Sequence, residues 1–136
     1  MSKLTLENGT HCVHKIGLHI VWCTKFRNPV LVNGADFVVK RTIAQCCGLY
    51  DWKCREVEVM PDHVHLFIQL NPTDAPSDVV RTLKSTSAVA VFYAYPELKK
   101  QKFWGSGLWS KDTYYGSVGE TSQGTIERYI QNQKTK

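Results

Sequence analysis

Apolar and polar residues alternate in three stretches of the chain. In VHKIGLHIVWCT (13–24), Ile16, Leu18, Ile20 and Trp22 recur at every second position, which predicts a strand with one buried face. CREVEVM (54–60) alternates in the same way, Pro61 and Asp62 break it tightly, and HVHLFIQL (63–70) alternates again, so 54–70 reads as a hairpin. Elsewhere the period lengthens. Ala35 to Leu49 carries Phe37, Val38, Ile43, Ala44 and Cys47 at helical spacing, with Gly48 as the stop. Ser77 is placed to cap a second helix reaching about Tyr95, its Val80, Leu83, Ala88, Val91 and Phe92 turned inward, and Pro96 ends it. Residues 97–107 read as a loop and LWSKDTYYGSV (108–118) as a fourth strand. GETSQG (119–124) reads as a flexible linker, and 125–134 as a short last helix with little apolar content of its own.

The resulting order, β-α-β-β-α-β and one further helix, is that of an α+β, ferredoxin-like fold: an antiparallel sheet with two helices on one face. A length of 136 residues suits a single domain, 1–136, and a hydrophobic share of 43% excludes global disorder. Five cysteines (Cys12, Cys23, Cys46, Cys47, Cys54) form no C-x-x-C pair and are odd in number, against both a disulfide framework and a zinc ribbon. Reduced thiols and a cytoplasmic setting in a prokaryotic cell are expected. No charged-then-apolar leader and no run of about 18 apolar residues is present, so neither a signal peptide nor a membrane span is expected. A net charge of +5 tilts the choice of partner toward a polyanion, although many plain cytosolic domains are as basic.

The chemistry concentrates at two places. His63 and His65 are two apart in a strand, so both imidazoles leave the same face while Val64, Leu66, Ile68 and Leu70 take the core side. Two imidazoles so placed can converge on one metal ion, although an isolated H-x-H is a common accident. The last helix carries Tyr129 and Gln133, four apart and hence on one side of it. Gln133 offers a carbonyl oxygen for a divalent ion, and Tyr129 a phenolic nucleophile; the plainer alternative is that Tyr129 and Ile130 only anchor the helix to the sheet. Two imidazoles and an amide would leave an ion close to its full charge, a strong Lewis acid toward a phosphodiester. Mixed nitrogen and oxygen ligation suits Mg²⁺ or Mn²⁺. Asp62, the nearest carboxylate, serves either as a hydrogen-bonding support for a histidine or simply as a turn residue.

PDHVHLFI (61–68) together with RYIQNQ (128–133) resembles the HUH single-strand nucleases, in particular the single-tyrosine transposases of the insertion-sequence 200/605 group. The likeness extends to HIVWCTKFRNPVL (19–31) and LWSKDTYY (108–115). It implies a ferredoxin-like fold, an obligate homodimer, and a divalent metal held by His63, His65 and Gln133. It further implies cleavage by Tyr129 through a 5′-phosphotyrosine, leaving a free 3′-hydroxyl for rejoining. The substrates it implies are single-stranded transposon ends that fold into imperfect hairpins. In the family the tyrosine helix of one subunit can complete the site of the other, and Gly119 and Gly124 would provide the hinge.

Lys25 and Arg27 after the first strand, and Arg81 and Lys84 on the second helix, are candidate phosphate contacts; Lys99, Lys100 and Lys102 form a similar cluster. Trp104, Trp109, Tyr114 and Tyr115 serve either as base-stacking platforms or as core and dimer contacts. Two other readings remain. A non-catalytic single-stranded nucleic-acid module of RNA-recognition type would use the same sheet, but it calls for exposed aromatics on the central strands, where His63, His65, Phe67 and Gln69 stand instead. HUH enzymes of replication initiation or conjugation usually carry larger accessory domains.

Overall fold

The structure, a computed structural model, describes residues 15–102, 107–117 and 123–133. Strands β1 (Ile16–Cys23), β2 (Lys53–Met60), β3 (His63–Leu70) and β4 (Tyr114–Ser117) form one antiparallel sheet in the order β2-β3-β1-β4. Helices α1 (Ala35–Tyr50) and α2 (Pro76–Ala94) pack on each other and on one face of that sheet. A short α3 (Pro96–Gln101) follows α2, and α4 (Gln123–Asn132) lies against β1. The expected α+β arrangement is therefore the one formed. Among the described residues no helix is long and apolar enough to cross a membrane, and Cys23, Cys46, Cys47 and Cys54 are free thiols. Cys12 and Trp104 lie outside the described residues.

The core follows from the two periodicities. Ile20, Trp22, Val64, Leu66, Ile68 and Leu70 project from the sheet into Val38, Val39, Ile43, Cys46 and Cys47 of α1 and Val79, Val80, Leu83 and Val91 of α2. β3 alternates between buried and part-exposed positions over its whole length. Met60 pairs with His63, so Pro61 and Asp62 alone make the turn between β2 and β3.

Several boundaries differ from the sequence reading. Ile16 frays at the strand end and is 48% exposed. Phe37 is 61% exposed with Arg41 over its ring, because the inward stripe of α1 runs through Ala35, Val38, Val39, Thr42, Ile43, Cys46 and Cys47, and position 37 falls beside it; Ala44 is also exposed. Gly48 does not stop α1. The helix continues to Tyr50 and ends on Asp51, left-handed at φ 59°, whose N–H reaches the Cys47 carbonyl. Ser77 does not cap α2; Ala75 holds that position, and Pro76 opens the helix with its preset φ.

The expected strand 108–118 is also interrupted. Trp109 makes a lone bridge to Thr24, and among the described residues the regular ladder with β1 covers 114–117. In between, the carbonyls of Ser110, Lys111 and Asp112 turn toward the Lys84 ammonium at 2.9, 3.5 and 3.3 Å, so this stretch departs from the ladder.

Candidate active site

The central strand fixes the histidines. β3 lies between β1 and β2, and its Val64, Leu66, Ile68 and Leu70 are buried against the helices, which leaves His63, His65, Phe67 and Gln69 on the opposite face. His63 stands across from Cys23 and Met60, and His65 across from Val21 and Glu58.

His63 is held from below the turn. Its Nδ1 lies 2.8 Å from Asp62 Oδ1, while Asp62 Oδ2 accepts from Arg27 Nε at 2.8 Å and Nη2 at 2.7 Å. Burial alone would raise the Asp62 carboxyl; the hydrogen bonds from His63 and Arg27, with the guanidinium charge, outweigh it and hold the group below the usual carboxylate range. Of the two roles weighed for Asp62, the side chain fulfils the support of a histidine, and its backbone also serves the turn by accepting from Thr24 N–H at 2.9 Å. With Nδ1 engaged, Nε2 is the ring nitrogen left to bind a ligand, the usual arrangement of a metal-binding histidine backed by a carboxylate.

His65 has a neighbour that pattern reading missed. His19 Nδ1 lies 3.2 Å from His65 Nε2, and the His19 ring stacks on Phe67 at 5.0 Å. The signal was available in the register: His19 is two residues from Val21, the cross-strand partner of His65, and so shares its face. Burial, then the nearby His19, lowers the His65 pKa, with Glu58 and Glu56 opposing. The ring is thereby kept neutral, the form a metal requires.

The last helix covers the same face. Ile126 is buried, and Val21 and Cys23, whose side chains point away from the main core, are fully buried. The period-two pattern predicts one buried face for β1; near its end α4 buries the other as well. Cys23 is pushed up to about 12, mainly by burial. Tyr129 and Gln133 share the inner side of this segment, as their spacing required, but both meet the 110–112 stretch. The Tyr129 hydroxyl donates to the Asp112 carbonyl at 2.9 Å, its ring lies 5.9 Å from that of Tyr114, and burial raises its pKa further above the ordinary phenol value. Gln133, 2% exposed and one residue beyond α4, accepts from Ser110 Oγ at 2.8 Å through Oε1.

The expected ligand trio is thus only partly gathered. The histidine pair fits a divalent ion in type and shares one sheet face, whereas His65 Nε2 lies against His19 Nδ1 and the Gln133 oxygen is committed to Ser110. Among the described residues no three His, Cys, Asp or Glu side chains group closely enough to hold an ion. Gly124 lies within the first turn of α4 rather than in a linker, and Gly119 lies outside the described residues.

The four basic candidates divide. Arg27 is committed to Asp62. Lys84 is pulled down to about 8, chiefly by burial, with its ammonium on three carbonyls. Arg81 is exposed and paired with Asp78 across one helical turn at 2.9 Å. Lys25 lines a pocket of about 370 Å³ with Ser110, Lys111 and Asp112, directly beside the carbonyl that holds Tyr129. Lys99 lies over the Phe92 ring, and Lys100 and Lys102 are exposed. Trp109 is structural: its Nε1 donates to the Lys84 carbonyl and Ser87 Oγ, and its ring meets Trp22 edge-on.

A family model described as IS200-like transposase matches residues 12–133. The chain belongs to the IS200-like transposases. It is thus a member of a family of DNA-processing enzymes. It is 35% identical over 133 residues to the ISDra2 transposase TnpA of Deinococcus radiodurans, covering 98% of this chain and 94% of that one. It is 24% identical over 115 residues to the transposase for insertion sequence element IS200 of Salmonella typhimurium, covering 85% and 74%. Among solved structures, a candidate transposase from Deinococcus radiodurans R1 superposes with a TM-score of 0.84 at 35% identity, over 93% of this chain and 96% of that one. A REP-associated tyrosine transposase bound to a REP hairpin shares the fold at a TM-score of 0.57 and 13% identity, over 90% and 67%.

Proposed function

We propose that this transposase cleaves and rejoins single-stranded DNA at hairpin-bearing element ends, with Tyr129 as nucleophile and His63 and His65 as ligands of Mg²⁺ or Mn²⁺. The observation that carries the proposal is the histidine pair on the sheet face turned away from α1 and α2, one ring braced by Asp62, with the helix that bears Tyr129 packed on the neighbouring strand β1. In the reaction the Tyr129 oxygen bonds to the scissile phosphorus, the bond to the 3′-oxygen breaks, and that oxygen leaves as a hydroxyl. Attack of a 3′-hydroxyl on the phosphotyrosine reseals a strand without ATP. A bound divalent ion would draw charge from the phosphodiester oxygens.

In the docked arrangement the Tyr129 hydroxyl proton is engaged by the Asp112 carbonyl, and attack on a phosphate would exchange that contact for one to the substrate. Release of Gln133 from Ser110 would likewise free its oxygen to serve as third ligand, from the same subunit or from the other member of a homodimer. The hairpin preference is supported by the shared fold with the hairpin-bound REP-associated protein. The alternative of a non-catalytic binding module loses ground to the family match and to Phe67, which is stacked on His19 and only part-exposed.

The test is incubation with labelled single-stranded hairpins drawn from the DNA flanking the gene, plus Mn²⁺, followed by denaturing electrophoresis. A covalent adduct is expected for the unaltered chain and not for Tyr129→Phe, with hairpin binding retained in both. Adducts persisting in Tyr129→Phe would remove the assigned nucleophile.

A further inference from the structure

Arg27 has the charge of a phosphate contact but the surroundings of a brace. Two of its nitrogens converge on Asp62 Oδ2 at 2.8 and 2.7 Å. The other oxygen of that carboxylate holds His63 Nδ1 at 2.8 Å. The third guanidinium nitrogen, Nη1, lies 3.4 Å from the carbonyl of Ile130, the residue after Tyr129 on α4. The Arg27 and Asp62 side chains are only 18% and 17% exposed.

The backbone is bent to achieve this. Phe26 and Arg27 both sit in the left-handed region, at φ 58° and 53°, where non-glycine residues are uncommon. Two consecutive cases mark a conformation imposed by its surroundings, and such outliers concentrate at functional sites. Thr24 fixes the turn from both sides: its N–H donates to the Asp62 carbonyl at 2.9 Å and its hydroxyl to the Asn28 carbonyl at 2.7 Å.

We infer that Arg27 is a positioning residue: through Asp62 it sets the ring orientation of His63, and through the Ile130 carbonyl it ties that orientation to the docked tyrosine helix. The inference rests on the metal-assisted tyrosine reading above. The planar guanidinium suits the task, since it directs several N–H groups in fixed directions at once, to a carboxylate and a carbonyl; an ammonium acts as a point charge. His63 thereby keeps one ring nitrogen occupied and presents the other, and the brace contacts the helix that supplies the nucleophile.

The test uses the full chain and the variants Arg27→Ala, Arg27→Lys and Asp62→Asn, each checked for folding by thermal melting. Mn²⁺ binding without DNA is followed from the free-ion electron paramagnetic resonance signal, and hairpin binding in chelator by fluorescence anisotropy. Histidine ring ¹H–¹⁵N spectra at fixed pH report the His63 tautomer in metal-free protein. Arg27→Ala should weaken Mn²⁺ binding roughly 10–100-fold, the usual effect of removing a partner that orients a metal ligand. It should also scramble the His63 tautomer while changing metal-free hairpin affinity less than about 3-fold, a shift within the small effects of independent sites. Arg27→Lys should recover part of the loss. The double variant Arg27→Ala with Asp62→Asn should be no worse than the weaker single variant, because the two act as one chain of contacts.

Unaltered Mn²⁺ binding and tautomer in Arg27→Ala would overturn the inference. So would a loss of hairpin affinity with a shallower salt dependence, the behaviour of a phosphate contact. If Arg27→Ala fails to fold, Arg27→Lys and Asp62→Asn decide by the same readings. Failure of the unaltered chain to bind Mn²⁺, or binding unchanged in His63→Ala, would instead overturn the metal reading beneath it.

Discussion

β3 and α4 carry the two halves of the proposed chemistry and are held in opposite ways. β3 is a central strand, hydrogen-bonded on both edges and buried on one face through Val64, Leu66, Ile68 and Leu70. α4 is a peripheral helix attached through Ile126, the Arg27 contact, the Tyr129 hydroxyl and the Gln133–Ser110 pair. The histidines are thus built into the hydrogen-bonded centre of the sheet, and the proposed nucleophile stands on a helix that packs on β1. On the proposed function, a site that opens to admit a DNA strand would be served by that division, since elements that move are drawn from the less stable parts of a fold.

The contrast makes a first, large prediction. Leu66→Ala removes a fully buried side chain at the centre of β3 and should lower global stability by about 2–5 kcal/mol, read from chemical denaturation. Ile126→Ala removes a buried side chain from α4, and the expectation is that this helix detaches without the sheet unfolding. The main transition should therefore move by less than about 1 kcal/mol, while Cys23 beneath α4 becomes open to alkylation. Equal losses of global stability in the two variants would erase the distinction between the regions.

Lys84 gives a smaller, pH-dependent effect at the joint between them. Its ammonium titrates near 8 in the fold against an ordinary value of 10.5, so between those values the unfolded chain holds more protons than the folded one. Folding stability of the unaltered chain should therefore rise with pH across that window relative to Lys84→Met. Paired denaturation curves at successive pH values check it, and a difference that stays flat or falls would contradict the assigned burial. Arg81, exposed and paired with Asp78 on its own helix, should change stability by less than about 0.5 kcal/mol on conversion to alanine.

The same contrast explains what was legible in the sequence. The β3 pattern is local and strict, so its boundaries, its buried face and the common face of His63 and His65 follow from period two alone. The helix spacing likewise put Tyr129 and Gln133 on one side. What they face was not legible, because it depends on Ser110 and Asp112, whose carbonyls are turned by Lys84 from another element. Arg27 and Lys84 were read as free charges since burial and partners more than 20 positions away leave no mark on a local window. His19 escaped because an isolated histidine in an apolar strand acquires meaning only when β1 is laid beside β3 in register. Phe37 shows the reverse error: an aromatic residue near the helical stripe, but one position off it, turns outward.

The most direct measurement is mass-spectrometric mapping of the covalent DNA adduct formed with a single-stranded hairpin and Mn²⁺, compared between the unaltered chain and a His63→Ala/His65→Ala double variant. The expected result is one modified residue, Tyr129, in the unaltered chain, and no adduct in the double variant despite retained hairpin binding. A nucleotide attached to any other side chain, or an undiminished yield without the two histidines, would contradict the site described for this transposase.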